Sequence, residues 1–238
     1  MRLMVTRPSA DAAPLAERLT QLGHDVILEP LLEIGFRDDV CPKLDGVAAV
    51  LATSANGVRA LERMSPRRDL PVFAVGDATA RTARAAGFGQ VASAAGDVDS
   101  LAALVVETLE PSDGSLLHVA GTRVAGDLQG ILSARGYAVQ RVVGYHAKTS
   151  DCLSSVGAGA LRAGEVDGVL FFSPRTARTF VSLAVEAGLG GACCKVTAYC
   201  LSAAVAERVL ERPDDLGWSR VAVADRPDEA SLLELLKP

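Results

Sequence analysis

The feature that most constrains the fold of this chain is an internal repeat. Residues from Val50 read VLATSANGVRAL and residues from Val169 read VLFFSPRTARTF, so an apolar run, a serine-containing turn and a helical pattern occur twice. Three further pairs of similar segments begin at Leu3 and Leu116, at Val72 and Val196, and at Gly96 and Asp225. Because the four units recur in the same order, the sequence indicates two related halves.

Short apolar runs alternate along the chain with segments whose apolar residues recur at helical spacing. The apolar runs predict strands near residues 2–6, 25–29, 47–52, 72–75, 116–120, 138–143, 167–172, 195–200 and 220–224. The periodic segments predict helices near 9–22, 56–64, 78–87, 98–109, 124–135, 175–187, 202–212 and 228–237. This alternation predicts an α/β fold with two similar doubly wound parallel sheets covered by helices.

Two domain arrangements are compatible with the repeat. Residues 31–36 (LLEIGF) and 142–147 (VVGYHA) are extended patterns that each follow a β-α-β unit. If they pair as a two-stranded ladder, the chain leaves a first domain near residue 35 and re-enters it near residue 150. A division near residue 113 would instead place the two domains in tandem. The pattern of residues leaves both arrangements open.

Composition and charge exclude several functional classes. The chain of 238 residues carries 24 Lys and Arg against 29 Asp and Glu, and only 4% of its residues are aromatic, so nucleic acid is not expected as a partner. The early polar residues and the absence of a long apolar run predict a cytoplasmic protein without a membrane segment. Five cysteines without a C-x-x-C and three isolated histidines predict neither a disulfide framework nor a metal site.

Common motifs for nucleotide and acyl chemistry are incomplete. The segment AGTRVAGDL has Gly121 and Gly126 at the spacing of a phosphate-binding loop, but Asp127 and Leu128 stand where Lys and Ser or Thr would be needed. No G-x-S-x-G surrounds Ser54 or Ser173. We therefore expect no cofactor and no serine nucleophile.

The turns that follow the predicted strands carry the candidate binding residues. Helix N-termini at the carboxyl edge of a parallel sheet present unpaired N–H groups, and two such edges that face each other would form a cleft for carboxylates. Each Ser or Thr could instead only cap a helix, and each Arg could be a solvated charge. The candidates are Thr6, Arg7, Ser54, Ala55, Asn56, Gly76, Thr79, Gly121, Arg123, Ser173, Arg175 and Ser202.

Tyr145 is a phenol within the second extended pattern. A phenol can donate a proton or a hydrogen bond at neutral pH, which makes Tyr145 a candidate general acid. The alternative is that its ring packs between the crossover strand and the domain and that its hydroxyl is satisfied locally. His146 alternates to the other face of the same strand and is expected to be exposed.

Several segments in succession resemble blocks of the uroporphyrinogen-III synthase family. These segments are VTRP with EPLLEI after the first helix, TSANGV, FAVGDATA, GTRVAGDLQGILSARGYAVQRVVGY and FFSPRTARTF. The resemblance extends over nearly the whole chain and lies in the order and spacing of the blocks. It implies two α/β domains joined by a two-stranded ladder, with residues 1–35 and 150–238 in domain 1 and residues 36–149 in domain 2.

The resemblance also implies a reaction. The family cyclises the linear tetrapyrrole hydroxymethylbilane to uroporphyrinogen III without a cofactor, inverting the last pyrrole ring and losing water. Tyr145 matches the tyrosine of the family's ladder and is the implied catalytic residue. A monomer is expected by default, with transient contact to the preceding synthase as a further expectation. The alternative reading is a non-catalytic two-lobed module that binds a small anion.

Two positions depart from the family pattern. The G-x-x-T-A block, present in the first half from Gly76, reads Cys200, Ala203 and Ala204 in the second half. Ala125 stands where the family often has an arginine, and Arg123 lies two residues earlier. Both departures change side chains only. A site that binds its ligand through main-chain N–H groups would tolerate such changes.

Overall fold

The chain divides into two units. The computed structural model describes residues 1–124, 126–211 and 214–237. Unit 1 comprises Met1–Glu33 and Lys148–Pro238, and unit 2 comprises Ile34–Ala147. The chain therefore leaves unit 1 after its first 33 residues and returns to it after completing unit 2.

Strands and helices alternate through most of the chain. The strands are β1 (Arg2–Val5), β2 (Asp25–Leu28), β3 (Leu32–Phe36), β4 (Val47–Ala52), β5 (Val72–Ala74), β6 (Val91–Ser93), β7 (Ser115–Gly121), β8 (Val139–Thr149), β9 (Gly168–Phe171), β10 (Thr197–Cys200) and β11 (Arg220–Val223). The helices are α1 (Ser9–Gln21), α2 (Ala55–Met64), α3 (Asp77–Ala85), α4 (Val98–Thr108), α5 (Leu128–Ser133), α6 (Ser155–Arg162), α7 (Pro174–Glu186), α8 (Gly190–Cys193), α9 (Ala203–Val209) and α10 (Glu229–Glu234).

Unit 1 is built on a parallel sheet with the strand order β11-β10-β9-β1-β2. Its strands are apolar on both faces: Leu3 and Val5 pack with α1 and α10, whereas Met4 packs with α6, α7 and α9 on the other face. Burial on both faces is typical of a parallel sheet that is covered by helices. The predicted doubly wound arrangement is confirmed for this unit.

Unit 2 contains most of the second sheet, which has the order β3-β8-β7-β4-β5-β6. The pairs from β8 to β6 are parallel, and successive residues of β4 again face opposite cores. Val50 packs with α2 and α3, whereas Leu51 packs with α4 and α5. This sheet is also doubly wound.

The strand β3 is the antiparallel edge of the second sheet. The Arg37 N–H donates to the Gly144 carbonyl (2.9 Å), and the Ser150 N–H donates to the Leu31 carbonyl (3.1 Å), so sequence positions run in opposite directions along the pair. The two extended patterns predicted at 31–36 and 142–147 are therefore neighbouring strands. The boundary between the units falls within both of them.

The two sheets repeat one topology. The order β2-β1-β9-β10-β11 matches β8-β7-β4-β5-β6, so β1 corresponds to β7 and β9 to β4. These are the strands that the internal repeat pairs in sequence. Each sheet nevertheless combines strands from both copies, because β1 lies beside β9 and β7 lies beside β4.

Some local elements differ from the sequence-based predictions. The helix predicted at 124–135 begins only at Leu128, because Gly126 has φ +75° and Asp127 caps the helix by accepting from the Gly130 N–H (2.9 Å). Two residues named in the sequence-based predictions lie outside the described residues. They are Ala125, which stands at the arginine position of the family pattern, and Arg212, which ends a predicted helix.

The sequence-based predictions lacked β6, α6 and α8. The helix α6 has the sequence SVGAGALR, whose two glycines give it a low intrinsic helix propensity. Its N-terminus is held by the buried Glu29, whose carboxylate accepts from the Ser154 N–H (2.8 Å) and the Ser154 hydroxyl (2.5 Å). Tertiary contact to a residue far along the chain thus stabilises a helix that its own sequence does not favour.

Candidate functional site

A cavity of about 330 Å³ opens at the carboxyl ends of the central strands of unit 2. The chain runs from β4 towards β5 on one side and from β7 towards β8 on the other, so the sheet changes winding direction between β4 and β7. Ligands of doubly wound proteins bind in the crevice that such a change creates. The cavity is lined by Thr53, Ser54, Val75, Asp97, Val98, Gly121, Arg123, Val124 and Tyr145.

Ser54 and Tyr145 are brought together at this cavity. Ser54 is the N-cap of α2 and its Oγ accepts from the Gly57 N–H (3.1 Å). The same Oγ lies 2.8 Å from the Tyr145 hydroxyl oxygen. The predicted cap is therefore also the hydrogen-bond partner of the predicted acid.

Gly121 makes room for the Tyr145 ring. A Cβ at residue 121 would lie 2.9 Å from two ring carbons of Tyr145. The pairing of β7 with β8 shifts register just before Gly121, and the Thr122 N–H donates to the Tyr145 carbonyl (3.1 Å). A glycine at the end of β7 thus allows the phenol to lie across the strand end.

The other predicted residues of unit 2 have different environments. Ala55 is the first residue of α2, and the Asn56 side-chain oxygen accepts from Arg59 Nη1 (2.8 Å). Gly76 caps α3, and Thr79 is buried in the first turn of α3; neither lines the cavity. The structure therefore gathers Ser54, Gly121, Arg123 and Tyr145 but does not add Gly76 or Thr79 to that group.

Two polar residues near the cavity, His118 and Asp97, were missed by sequence reasoning, and Thr53 was recognised only as part of the turn that contains Ser54. Thr53 Oγ1 lies 3.0 Å from His118 Nε2, and His118 is buried in β7. Asp97 caps α4 by accepting from the Ser100 N–H (2.9 Å), and this bond is the main cause of the lowered pKa of Asp97. A lone polar residue inside the apolar run LLHVA was the available signal for His118.

His118 makes the stability of the fold sensitive to acid. Burial, with the nearby Arg141 charge, lowers the pKa of His118 from 6.5 to about 4. Below the pKa of the unfolded state the unfolded chain binds the extra proton, so stability falls as the pH drops from 6.5 towards 4. We expect a loss of about 2 kcal/mol from this group between neutral pH and about pH 5.

Urea unfolding of the parent and His118→Gln at both pH values measures this contribution. The variant is expected to lose less stability on acidification, by about 2 kcal/mol. Equal losses in the two proteins would show that His118 does not resist protonation in the folded state.

In unit 1, two predicted binding residues are engaged by the protein itself. Thr6 is fully buried and its hydroxyl donates to the Leu170 carbonyl (2.8 Å). Arg7 pairs with Glu229 (2.5 Å) and its guanidinium lies 4.5 Å from the centre of the Phe172 ring. Both side chains therefore stabilise this edge of the unit, and a binding role for either residue stays a prediction.

The remaining predicted residues of unit 1 lie at helix N-termini. Ser173 caps α7 by accepting from the Thr176 N–H (3.1 Å), and Arg175 is half-buried in the first turn of the same helix. Ser202 precedes α9 as its N-cap but makes no side-chain capping bond. A separate cavity of unit 1, also about 330 Å³, lies between α1 and α10 and contains none of the predicted residues.

The described residues contain neither a metal-binding cluster nor a helix that could span a membrane. Among residues 1–124, 126–211 and 214–237, no three or more His, Cys, Asp or Glu side chains are grouped so that they could hold a metal ion. In the same residues, no helix is long and apolar enough to cross a membrane.

Comparisons with known proteins agree with the architecture. The uroporphyrinogen-III synthetase of Helicobacter pylori is 19% identical and superimposes with a TM-score of 0.65, over 99% of this chain and 98% of that chain. A mutant uroporphyrinogen III synthase of the extremely thermophilic bacterium Thermus thermophilus is 20% identical, with a TM-score of 0.51 over 99% and 97% of the two chains. Because both proteins are at most 20% identical to this chain, these similarities show a shared fold and no more. No curated protein matches the sequence.

The family assignment rests on the sequence itself. The family model described as uroporphyrinogen-III synthase HemD matches residues 13–234, which is nearly the whole chain and includes every element that lines the cavity of unit 2. The resemblance found in the sequence is thereby confirmed. The chain belongs to the uroporphyrinogen-III synthase family, whose members are cyclising hydro-lyases that act on hydroxymethylbilane.

Proposed function

We propose that this chain performs the family reaction, the closure of hydroxymethylbilane to uroporphyrinogen III, with the cavity of unit 2 holding the reacting end of the substrate. The observation that carries this proposal is the Ser54–Tyr145 pair, whose oxygens are 2.8 Å apart at the winding change of the sheet. Loss of the terminal hydroxyl as water would leave an electrophilic azafulvene. A spiro intermediate would then rearrange to the product with the last ring inverted.

Tyr145 is the proposed proton donor to the leaving hydroxyl. Ser54 Oγ accepts from the Gly57 N–H, and either hydroxyl of the Ser54–Tyr145 pair can donate to the other. We propose that Ser54 donates to Tyr145, which leaves the Tyr145 proton free for the leaving hydroxyl. A chain of donors from Gly57 through Ser54 to Tyr145 strengthens the last donor, because each hydrogen bond polarises the next. A weak acid suffices, since protonation only has to help a hydroxyl depart as water.

The substrate carboxylates are proposed to bind at the same edge. The first N–H groups of α2, at Ala55 and Asn56, belong to a helix terminus that attracts anions, and Arg123 adds a positive charge to the lining. The Asp97 carboxylate, whose pKa is lowered, adds a negative charge at α4. We expect substrate carboxylates to lie towards Arg123 and away from Asp97.

Unit 1 is proposed to supply a second set of carboxylate contacts. The N-termini of α7 and α9, with Ser173, Arg175 and Ser202, are the counterparts of the α2 and α3 termini in the repeated topology. We also propose that the two units correspond to the family's two domains, residues 1–35 with 150–238 and residues 36–149. The division of the described chain near residues 33 and 147 supports this assignment.

An isomer assay tests the proposed function. Hydroxymethylbilane closes spontaneously to the type I isomer, so an enzyme of this family must yield the type III isomer. The purified chain is expected to give type III product from hydroxymethylbilane generated in place by the preceding synthase. Type I product alone would contradict the proposal and would favour a non-catalytic anion-binding module.

Replacement of Tyr145 by phenylalanine tests the proposed acid. The change removes the hydroxyl and leaves the ring, so we expect kcat to fall about tenfold, less than the largest effects of general acids because the hydroxyl also departs unaided. Steady-state rates of type III formation measure the effect. Tyr137→Phe is the matched control, since the Tyr137 hydroxyl donates to the Leu109 carbonyl and does not line the cavity. An unchanged kcat for Tyr145→Phe would remove this residue from the mechanism.

A further inference from the structure

The contact between His118 and Thr53 joins a buried imidazole to the wall of the cavity. His118 on β7 is paired with Leu51 on β4, and Thr53 follows two residues later, so the two side chains are diagonal neighbours on one face of the sheet. His118 Nε2 lies 3.0 Å from Thr53 Oγ1. His118 is only 3% exposed, whereas Thr53 is half-buried and lines the cavity.

The burial of His118 decides its charge. Removal from water and the charge of Arg141, its register partner on β8, both disfavour the imidazolium. The imidazole is therefore neutral at neutral pH, and only one of its two nitrogens carries a proton.

The surroundings of the second nitrogen decide where that proton lies. His118 Nδ1 is buried and has no hydrogen-bond partner among the residues that the structure describes. A buried N–H without an acceptor is rarer than a buried acceptor without a donor. The proton is thus favoured on Nε2, which makes His118 a donor to Thr53 Oγ1.

This donor orients the Thr53 hydroxyl. With an Nε2–H aimed at its oxygen, the hydroxyl cannot donate back to His118, and its hydrogen must point elsewhere. No second hydrogen bond of the Thr53 hydroxyl occurs within the described part of the chain. The remaining direction is the cavity that Thr53 lines.

We propose that His118 is a positioning residue, which donates from Nε2 to Thr53 Oγ1 and so directs the Thr53 hydroxyl proton into the cavity to bind a carboxylate of the substrate. The proposal rests on the proposed function, because the carboxylate is that of hydroxymethylbilane. Thr53 is adjacent to Ser54, so this carboxylate would be held next to the proposed proton donor. His118 itself touches no substrate and acts only through Thr53.

The tautomer can be observed without any activity measurement. A long-range ¹H–¹⁵N spectrum of the uniformly labelled parent protein at neutral pH distinguishes the Nε2–H from the Nδ1–H imidazole. The resonance of His118 is assigned by its loss in His118→Gln. We expect the Nε2–H form for His118. An Nδ1–H form or a charged imidazole would overturn the proposal whatever the activity of the variants.

Kinetics then test whether the orientation matters for binding. His118→Leu removes the donor and is expected to raise KM about tenfold with kcat within about twofold, as for the loss of one hydrogen bond to a charged group. His118→Gln restores an N–H donor and is expected to recover most of the affinity. His24→Leu, a histidine replacement in unit 1, is the control and is expected to retain the parental KM.

A double-mutant cycle separates this role from general damage to the fold. Thr53→Val removes the hydroxyl, and in that background His118→Leu is expected to cause no further rise in KM. Additive effects would indicate that His118 acts on binding by another route and would overturn the proposal. Type I product from the parent would instead reject the proposed function, while the tautomer measurement would still stand on its own.

Discussion

Replacing Phe171 with alanine is expected to lower the free energy of unfolding by about 3–5 kcal/mol. Phe171 is the last residue of β9 and is fully buried in unit 1. The centroid of its ring lies 5.3 Å from that of Phe180 and 5.8 Å from that of Trp218, and both pairs have edge-to-face geometry. The substitution therefore removes buried apolar area, leaves a cavity and loses two aromatic contacts.

Urea unfolding followed by fluorescence and circular dichroism measures this loss. Trp218 is the only tryptophan of the sequence, so its emission reports the cluster that contains Phe171. Phe172→Ala is the matched control: the neighbouring ring is half-buried beneath Arg7, and we expect a clearly smaller loss. Equal losses for the two variants would contradict the placement of Phe171 at the centre of the core.

Replacing Gly57 with alanine is expected to destabilise the protein by about 3 kcal/mol, the upper end of the usual cost of overpacking. Gly57 lies in the first turn of α2, and its Cβ would be 2.3 Å from the Val119 carbonyl oxygen of β7. Backbone cannot yield as a flexible side chain can, so α2 must move away from the sheet. Because Ser54 caps α2, type III formation is also expected to fall.

Gly159→Ala is the control for the Gly57 substitution. Gly159 also lies in a helix, α6, but a Cβ there meets no atom within 4 Å. The same chemical change is therefore expected to raise stability by about 0.5–1 kcal/mol, the usual gain in helix propensity. Thermal unfolding compares the two variants. A Gly57→Ala protein as stable as Gly159→Ala would contradict the close approach of α2 to β7.

The sequence predicted the regular elements where local pattern and tertiary packing agree. The strands β1, β4, β7 and β9 are mainly apolar on both faces, so each appears in the sequence as a continuous apolar run that predicts a strand. The helix α6 was missed because its two glycines lower its intrinsic helix propensity, while the contact of Glu29 with its N-terminus comes from a distant part of the chain. The helix α5 was predicted too long because the spacing of apolar residues does not reveal where a helix begins. Its start is set by Asp127, whose side chain caps the helix.

The candidate site could be predicted only in part. The turn that contains Ser54 was found because strand-turn-helix patterns place such residues at sheet edges. The 2.8 Å approach of Ser54 to Tyr145 joins residues far apart in the chain, and no local pattern encodes it. Thr6 has the same residue type and turn position as other candidates, yet its burial removes it from solvent.

The sequence by itself determined the α/β class, the twofold repeat and the family, because periodicity, order and spacing of residues are properties of the chain alone. Tertiary structure decided that β1 pairs with β9 and β7 with β4, since strand pairing depends on contacts between distant segments. It also decided which of the many strand-end residues lie close together. The contacts between Ser54 and Tyr145 and between Thr53 and His118, both about 3 Å long, exist only in the folded sheet, and the roles proposed for these residues depend on them.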